Sequence, residues 1–187
     1  MSINKANIIP RNYLSFNEFF EVNVRGDGNC FFRCLSKHID KTENNYPYYR
    51  KIIYEYTKNN KEILKYFFYQ LENENDNEYN KRYDNFIENI KNDKTFAINF
   101  EISAASVVLK RGIIIYKKEP NGYNLINIYS ADKNNDLENI FIVYVNNNHF
   151  NLIVQKDTNI HPYIDNNNIQ KIHEKIEKDN KIKKNRY

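Results

Sequence analysis

The sequence of 187 residues contains few cysteines, glycines and prolines, and it contains no tryptophan. Two cysteines, Cys30 and Cys34, are too few for a disulfide scaffold and fit a reducing compartment. Four glycines and four prolines exclude a collagen-like chain and a Pro/Gly-rich disordered chain. The longest apolar run, residues 140–145, is far shorter than the roughly 18 residues of a membrane span. With no signal-peptide pattern at the N-terminus, we expect a soluble, cytoplasmic protein.

The net charge of +4 is confined to the end of the chain. Residues 166–187 carry seven basic and three acidic side chains, whereas residues 1–165 carry equal numbers of each. A nucleic-acid-binding domain usually has its basic excess on the domain itself, so we expect no nucleic-acid partner for the body. The sequence therefore divides into a domain at 1–165 and a basic, helical tail at 166–187. Isoleucines on one face of this tail predict a solvated helix that docks through that face. Its lysines leave open the alternative of a surface that binds an acidic partner or an anionic membrane.

The hydrophobic spacing changes from a helical period to a strand period along the chain. Helical spacing predicts a short helix over residues 14–20 and further helices over 30–39, 48–56, 63–71, 79–90 and 98–109. Short β-branched segments predict strands over 113–116, 124–129, 140–145 and 150–154. Helices followed by strands indicate an α+β fold in which helices pack around a small sheet.

The turn Asp27-Gly28-Asn29-Cys30 carries the most chemistry, because a predicted helix begins directly after it. In the first turn of that helix, Cys30 would meet free backbone N–H groups and the positive end of the helix dipole. Such positions lower a cysteine pKa to about 3.5–7.5. The same N–H groups are able to bind an oxyanion. Taken alone, these residues also fit a small buried cysteine that follows an ordinary turn.

His149 opens the last apolar strand, directly after the loop Asn146-Asn147-Asn148. Residues i and i+2 of a strand face the same side, so His149 and Asn151 are predicted neighbours. An imidazole base whose Nδ1–H is oriented by an amide oxygen is typical of Cys-His-Asn hydrolases. Because the chain contains 34 asparagines, this spacing carries little weight by itself.

Three blocks of the sequence resemble the ovarian-tumour (OTU) family of cysteine proteases, which are papain-like deubiquitinases. Residues 27–33, DGNCFFR, are similar to the family's D-G-N-C-[LF]-[FY]-R block, and residues 149–151, HFN, to its H-[YF]-[DN] block. Residues 95–102 resemble its W-G-G-x-x-E-[IL] segment, with Glu101 kept and both glycines replaced. The resemblance spans about residues 20–156. It implies a papain-like OTU fold with a small central mixed β-sheet flanked by helices.

The resemblance implies a role for each matching catalytic residue. Cys30 is the nucleophile, and His149 is the general base and acid. Asn151 orients the imidazole, although Asp27 stays open as an alternative for that role. The implied enzyme is a thiol-dependent deubiquitinase that hydrolyses the isopeptide bond after the C-terminal glycine of ubiquitin or polyubiquitin.

The resemblance also implies how the substrate is held. Backbone N–H groups at three residues form the oxyanion hole: Asp27, Gly28 and Cys30. Three residues of the hairpin near His149 line the channel for the ubiquitin C-terminus: Asn147, Asn148 and Phe150. We expect no metal or cofactor, and we expect the protein to act as a monomer.

The sequence leaves two alternative functions open and excludes a zinc site. A silent ubiquitin-binding module or a protease for another ubiquitin-like modifier would share the fold, but the complete set Cys30, His149 and Asn151 favours an enzyme. A zinc site at Cys30, Cys34 and His38 is excluded, because the outer two lie about 12 Å apart along a helix. The composition suits a viral or intracellular-microbe protein that acts in a host cytosol.

Overall fold

Six strands and five helices make up the part of the chain that this computed structural model describes, residues 11–65, 68–129 and 138–156. The strands are β1 (Tyr13–Ser15), β2 (Phe19–Val22), β3 (Ile113–Glu119), β4 (Gly122–Tyr129), β5 (Ile140–Val145) and β6 (His149–Gln155). The helices are α1 (Cys30–Asp40), α2 (Tyr46–Asn59), α3 (Lys61–Leu64), α4 (Asp76–Asn89) and α5 (Asn99–Leu109). None of the described helices is long and apolar enough to cross a membrane.

All six strands form one mixed sheet in the order β1-β4-β3-β5-β6-β2. Strands β3 and β5 are parallel, and every other neighbouring pair is antiparallel. β1 and β2 form opposite edges although only three residues separate them in the chain. Those residues reach across about 14 Å at most, whereas six flat strands are about 24 Å wide. The sheet is therefore curled, so that its two edges approach each other.

The N-terminal segment corrects the prediction of a helix over residues 14–20. These residues form β1 and β2, which pair with β4 and β6. Leu14 and Phe19 are fully buried in the core of the sheet, and Phe20 is buried as well. An isolated helix of this length is marginal, so strand pairing and burial of both aromatic rings determine the structure here.

The helix predicted over residues 63–71 is also mostly wrong. The observed helix α3 ends at Leu64, and Phe68 lies outside any helix. The Phe68 ring packs against Tyr79, Tyr83 and Phe86 of α4. Phe68 therefore packs on α4 from outside a helix, whereas residues 66 and 67 of the predicted helix lie outside the described residues.

The other predicted helices and strands are confirmed, and so is the α+β class. Helix α1 packs against β6 and α2, and Phe31 near the start of the helix lies against Phe150 near the start of β6. A second small core joins α2 and α4 through four residues: Tyr54, Tyr83, Ile87 and Ile90. The predicted boundary at residue 165 and the helical tail at 166–187 lie outside the described residues.

Candidate active site

Cys30 is the first residue of α1 and is almost completely buried. Backbone N–H groups of Cys30, Phe31 and Phe150 favour the thiolate, as expected at a helix N-terminus. Burial outweighs these N–H groups and raises the thiol pKa above its usual value. The lowered pKa expected from the sequence is therefore wrong, because the sequence did not reveal how deeply the sulfur is buried. Burial therefore favours the protonated thiol over the thiolate.

The turn before Cys30 is packed tightly against the segment that precedes α5. Gly28 has a φ of 83°, and a Cβ at this position would overlap the backbone carbonyl of Lys94. Asn29 is fully buried, and its Oδ1 accepts the Lys94 N–H at 3.1 Å. Only glycine combines this φ with so close an approach of the neighbouring backbone.

Asp27 bonds to α1 and not to the imidazole. Its carboxylate is bidentate with Arg33, at 3.1 Å to Nε and 2.5 Å to Nη2, and its Oδ1 accepts the Asn29 N–H at 3.1 Å. The Arg33 guanidinium lowers the pKa of Asp27 to about 2. Asp27 was one of the two candidates for orienting His149. Its carboxylate instead joins the turn to the helix that follows it.

Arg50 of α2 holds the same turn from the other side, and sequence reasoning missed it. It is only 4% exposed, and its guanidinium donates to Ile90 O at 2.8 Å, to Thr95 O at 2.7 Å and to Asn29 Oδ1 at 2.7 Å. Burial lowers its pKa. The signal was present in the spacing, because Arg50 precedes the buried Ile53 by three residues and so lies on the apolar face of α2.

His149 is positioned by the hairpin between β5 and β6. Asn146 and Asn147 have φ values of 53° and 56°, and the Asn148 N–H donates to Val145 O at 3.3 Å. Two consecutive positive φ values indicate a type I′ turn, in which asparagine is favoured. The run of asparagines is therefore structural at this point. His149 follows the turn directly as the first residue of β6.

The imidazole of His149 contacts Asn151 through Nε2, at 2.8 Å from the Asn151 Oδ1. That oxygen also accepts the Val24 N–H at 3.0 Å, which identifies it as the amide oxygen because a backbone N–H only donates. Nε2 therefore carries a hydrogen, and Nδ1 is left as the basic nitrogen. The sequence-based expectation that Asn151 binds Nδ1–H is wrong in this detail.

The other end of the Asn151 amide is held by β2 and the residue that follows it. The Asn151 Nδ2 donates to Glu21 Oε1 at 2.5 Å and to Asn23 Oδ1 at 3.2 Å. The second oxygen of Glu21 forms an ion pair with Lys118 at 2.7 Å. Sequence reasoning missed Glu21 and Asn23, because their contacts with Asn151 depend on β2 lying beside β6.

His149 also lies against the start of the cysteine turn. A Cβ at Gly26 would be 3.5 Å from the His149 Nδ1, so the basic nitrogen faces the backbone just before Asp27. Cys30 lies near the same place, because the backbone of Phe150 lowers the thiol pKa and the Phe150 ring packs against Phe31, the residue after Cys30. The structure thus brings Cys30, His149 and Asn151 to one site, where α1 meets β6.

The three predicted channel residues differ in their exposure. Asn147 and Asn148 are exposed at the tip of the hairpin. The half-buried Phe150 ring packs edge-on against Phe31, with 6.1 Å between centroids, and lies 5.1 Å from the ring of Tyr144. A substrate channel at this position would have one aromatic wall and one polar rim.

The remaining sulfur and imidazole of α1 point to separate partners. Cys34 is fully buried, and its Sγ lies 3.7 Å from Phe150 O. His38 Nε2 lies 4.0 Å from a carboxylate oxygen of Glu138. The described residues contain no group of three His, Cys, Asp or Glu side chains that is able to hold a metal ion.

The segment at residues 95–102 adopts its structure without glycines. Ile98 has a φ of −110°, and its N–H donates to Glu101 Oε2 at 3.0 Å, which caps α5. The left-handed residue lies earlier, at Lys94, with a φ of 64°. Burial raises the pKa of Glu101 to about 7.

A sequence model of the family described as OTU-like cysteine protease matches residues 25–150, and the chain belongs to this family. It is also similar to OVARIAN TUMOR DOMAIN-containing deubiquitinating enzyme 7 of Arabidopsis thaliana, with 25% identity over 136 residues. The match covers 73% of this chain and 33% of the plant protein. The chain therefore spans about a third of that relative's length.

Solved OTU domains share the fold. The viral OTU domain protease from Farallon virus superposes with a TM-score of 0.60 at 19% identity, covering 78% of this chain and 90% of the viral chain. The Hazara virus OTU bound to ubiquitin superposes with a TM-score of 0.57 at 18% identity, covering 78% and 89% of the two chains. The predicted papain-like OTU fold is thereby confirmed.

Proposed function

We propose that this protein is a deubiquitinase that hydrolyses the isopeptide bond after the C-terminal glycine of ubiquitin. The observation that carries the proposal is the bond between His149 Nε2 and Asn151 Oδ1, which leaves Nδ1 as the basic nitrogen beside the cysteine turn. This arrangement supplies a base for a thiol whose pKa is raised by burial. Cys30, His149 and Asn151 then act as nucleophile, base and orienting residue.

The first half of the reaction forms a thioester. His149 Nδ1 takes the proton from Cys30, and the thiolate attacks the carbonyl carbon of the ubiquitin glycine. Backbone N–H groups of the turn at Asp27, Gly28 and Cys30 hold the oxyanion that develops. The imidazolium then donates its proton to the departing lysine amine as the C–N bond breaks, which leaves ubiquitin attached to Cys30.

The second half releases ubiquitin. His149 Nδ1 takes a proton from a water molecule, and the resulting hydroxide attacks the thioester carbonyl. The oxyanion collapses, the C–S bond breaks, and the thiolate regains the proton from the imidazolium. Throughout both halves Asn151 accepts the Nε2–H, so the ring keeps Nδ1 directed at the reacting atoms.

Two observations support ubiquitin as the substrate. They are the names of similar proteins and the shape of the site. One relative is named a deubiquitinating enzyme, and one solved OTU structure of the same fold is bound to ubiquitin. The buried sulfur favours a substrate whose terminal residues are narrow. Two consecutive glycines, as at the ubiquitin C-terminus, meet that requirement.

The proposal is tested with ubiquitin that carries a C-terminal electrophile, beside equivalent probes made from other ubiquitin-like modifiers. We expect an adduct of one ubiquitin per chain, located at Cys30 by peptide mass spectrometry. Preferential reaction with the probe made from another modifier would identify that modifier, and not ubiquitin, as the substrate. Binding of ubiquitin without an adduct would indicate a silent binding module.

The two cysteines of α1 provide a matched control. Cys30→Ala is expected to abolish the adduct and the cleavage of diubiquitin, while leaving folding and ubiquitin binding largely intact. Cys34→Ala is expected to keep the adduct, because the Cys34 sulfur points to Phe150 O inside the core. An essential Cys34 with a dispensable Cys30 would overturn the assignment of the nucleophile.

A further inference from the structure

Asn151 is the most completely bonded side chain of the site. It is only 5% exposed, its oxygen accepts from His149 and Val24, and its nitrogen donates to Glu21 and Asn23. These four hydrogen-bond partners of the side chain lie in β2, in the residues directly after β2, and in its own strand. The orientation of the imidazole therefore depends on how this one amide is held.

Glu21 differs from the other partners because its carboxylate carries charge. As an ionised group it only accepts hydrogen bonds, so it must face the NH2 end of the Asn151 amide. Its side chain is 13% exposed, and Lys118 neutralises it at 2.7 Å. These contacts fix the amide with its nitrogen towards β2 and its oxygen towards His149.

We propose that Glu21 is a positioning residue that requires a neutral amide, and not a carboxylate, at position 151. This inference rests on the proposed function, in which Asn151 orients the catalytic imidazole. The family pattern H-[YF]-[DN] allows either Asn or Asp at the position. In this chain an aspartate would place a carboxylate oxygen where the Asn151 Nδ2 now lies, 2.5 Å from Glu21 Oε1.

Two carboxylates at that distance cannot both be ionised without strong repulsion. The side chain at 151 would then turn away or take up a proton, and in either case the acceptor for His149 Nε2–H would move. Glutamine at position 21 would remove the conflict, because its amide nitrogen is able to donate to an aspartate. The same glutamine is able to present its oxygen to the native Asn151.

The test is a double-mutant cycle on the full chain with Glu21→Gln, Asn151→Asp and the double variant. We expect Glu21→Gln to keep kcat/KM within about 5-fold of wild type and Asn151→Asp to lower it by about 100-fold. The double variant is expected to recover at least about 10-fold over Asn151→Asp. Such a recovery is a rescue that a merely structural role for Glu21 would not produce.

Glu18 serves as a matched control for charge. It lies in the turn before β2, is about half exposed and pairs with Arg11. Glu18→Gln combined with Asn151→Asp removes the same charge near the same strand, and it is expected to give no recovery. Wild-type activity in Asn151→Asp, or equal activity of Asn151→Asp and its Glu21→Gln double variant, would overturn the proposal.

A second measurement does not depend on ubiquitin. The rate of alkylation at Cys30 by iodoacetamide, located by peptide mass spectrometry, reports on the thiol and its base in each variant. We expect the same order of variants as in turnover. If alkylation follows that order while no variant cleaves ubiquitin, the positioning role stands and the proposed substrate fails; equal alkylation in all variants overturns the positioning role.

Folding is followed for each variant by thermal melting. If Asn151→Asp fails to fold, the coupling between positions 21 and 151 is measured by thermal melting instead of turnover. The double variant should then regain a cooperative unfolding transition. A double variant that remains unfolded, beside a folded Glu21→Gln, would contradict the proposal.

Discussion

Around Cys30 the chain is held mainly by arginine side chains, whereas around His149 it is held by strand pairing and by one amide side chain. On the cysteine side, Asp27 binds Arg33, and Arg50 donates to two backbone carbonyls and to Asn29. On the histidine side, β6 is paired with β5 and β2, and the Asn151 side chain binds the ring through Nε2.

The difference follows from the backbone on each side. The cysteine turn has no strand partner, so its carbonyl and N–H groups need side-chain partners when they are buried. A guanidinium, with five donors in a fixed plane, is well suited to hold several carbonyl oxygens at once. Strand β6 already has its backbone groups paired, so only the orientation of one side chain remains to be determined.

The largest effect is expected from removing the base itself. His149→Ala should lower kcat/KM on a fluorogenic ubiquitin substrate by about 10²–10⁴, which is the usual contribution of general acid–base catalysis. Because His149 is half-buried at the start of a strand, the melting temperature should change little. A loss below 10-fold would mean that another group takes the thiol proton.

Removing the Arg50 guanidinium from the cysteine side should mainly reduce stability. Arg50→Ala removes one donor each from Ile90 O, Thr95 O and Asn29 Oδ1, the last of which keeps the Lys94 N–H, so we expect the free energy of unfolding to fall by about 3 kcal/mol in urea titrations. Arg50→Lys should not restore it, because one ammonium cannot reproduce the planar fork. The exposed neighbour provides the control, and Lys51→Ala should stay within about 0.5 kcal/mol of wild type.

Removing the orienting amide should affect turnover less than removing the base. Asn151→Ala is expected to lower kcat/KM by on the order of 10-fold to 100-fold, because the imidazole remains but its ring is no longer fixed. The measurement uses the same substrate as for His149→Ala. Wild-type turnover in Asn151→Ala, together with a loss in Asp27→Asn as large as in His149→Ala, would transfer the orienting role to Asp27.

Glu101 tests how the buried charge near Arg50 responds to pH. Burial raises its pKa from 4.5 to about 7 in the folded protein. The folded state therefore binds more protons than the unfolded state between these values, and stability falls as pH rises through this window. Glu101→Gln keeps an oxygen for the Ile98 N–H and should remove a slope of roughly 1 kcal/mol per pH unit between pH 4.5 and 7. An unchanged slope in urea titrations would contradict the assignment.

The smallest effect is expected from the basic tail. Deletion of residues 166–187 removes none of the site residues, so hydrolysis of a small fluorogenic ubiquitin substrate should stay within a few-fold of the full chain. A collapse of the rate in a truncated protein that melts normally would show that the tail contributes to the ubiquitin site.

Sequence patterns predicted the part of the site that depends on local structure. Cys30 at the start of a helix and His149 with Asn151 on one strand face require only the periods of helices and strands. Glu21 and Arg50 escaped because their roles depend on pairing across the chain. Glu21 is recognisable only when β2 is known to lie beside β6. The spacing of α2 places Arg50 on its apolar face, but the partners of Arg50 are recognisable only when α2 is known to lie under the cysteine turn.

The buried environment of the thiol was likewise not predictable from local pattern. A helix N-terminus lowers a cysteine pKa, but burial of the thiol has the opposite effect and is larger. The third motif lacks both glycines of the family pattern, and the left-handed residue of this segment lies at Lys94, outside those two positions.

The pairing of β2 with β6 also determines when the site forms during folding. The bond from the Val24 N–H to the Asn151 Oδ1 joins residues 127 positions apart, so nearly the whole domain must be present before the imidazole is oriented. Contacts of such long range slow folding, because the entropy of closing a large loop is lost before the contact is gained. On the ribosome, the nucleophile and its helix would therefore emerge long before the base, and the nascent chain would stay inactive until its last strand docks.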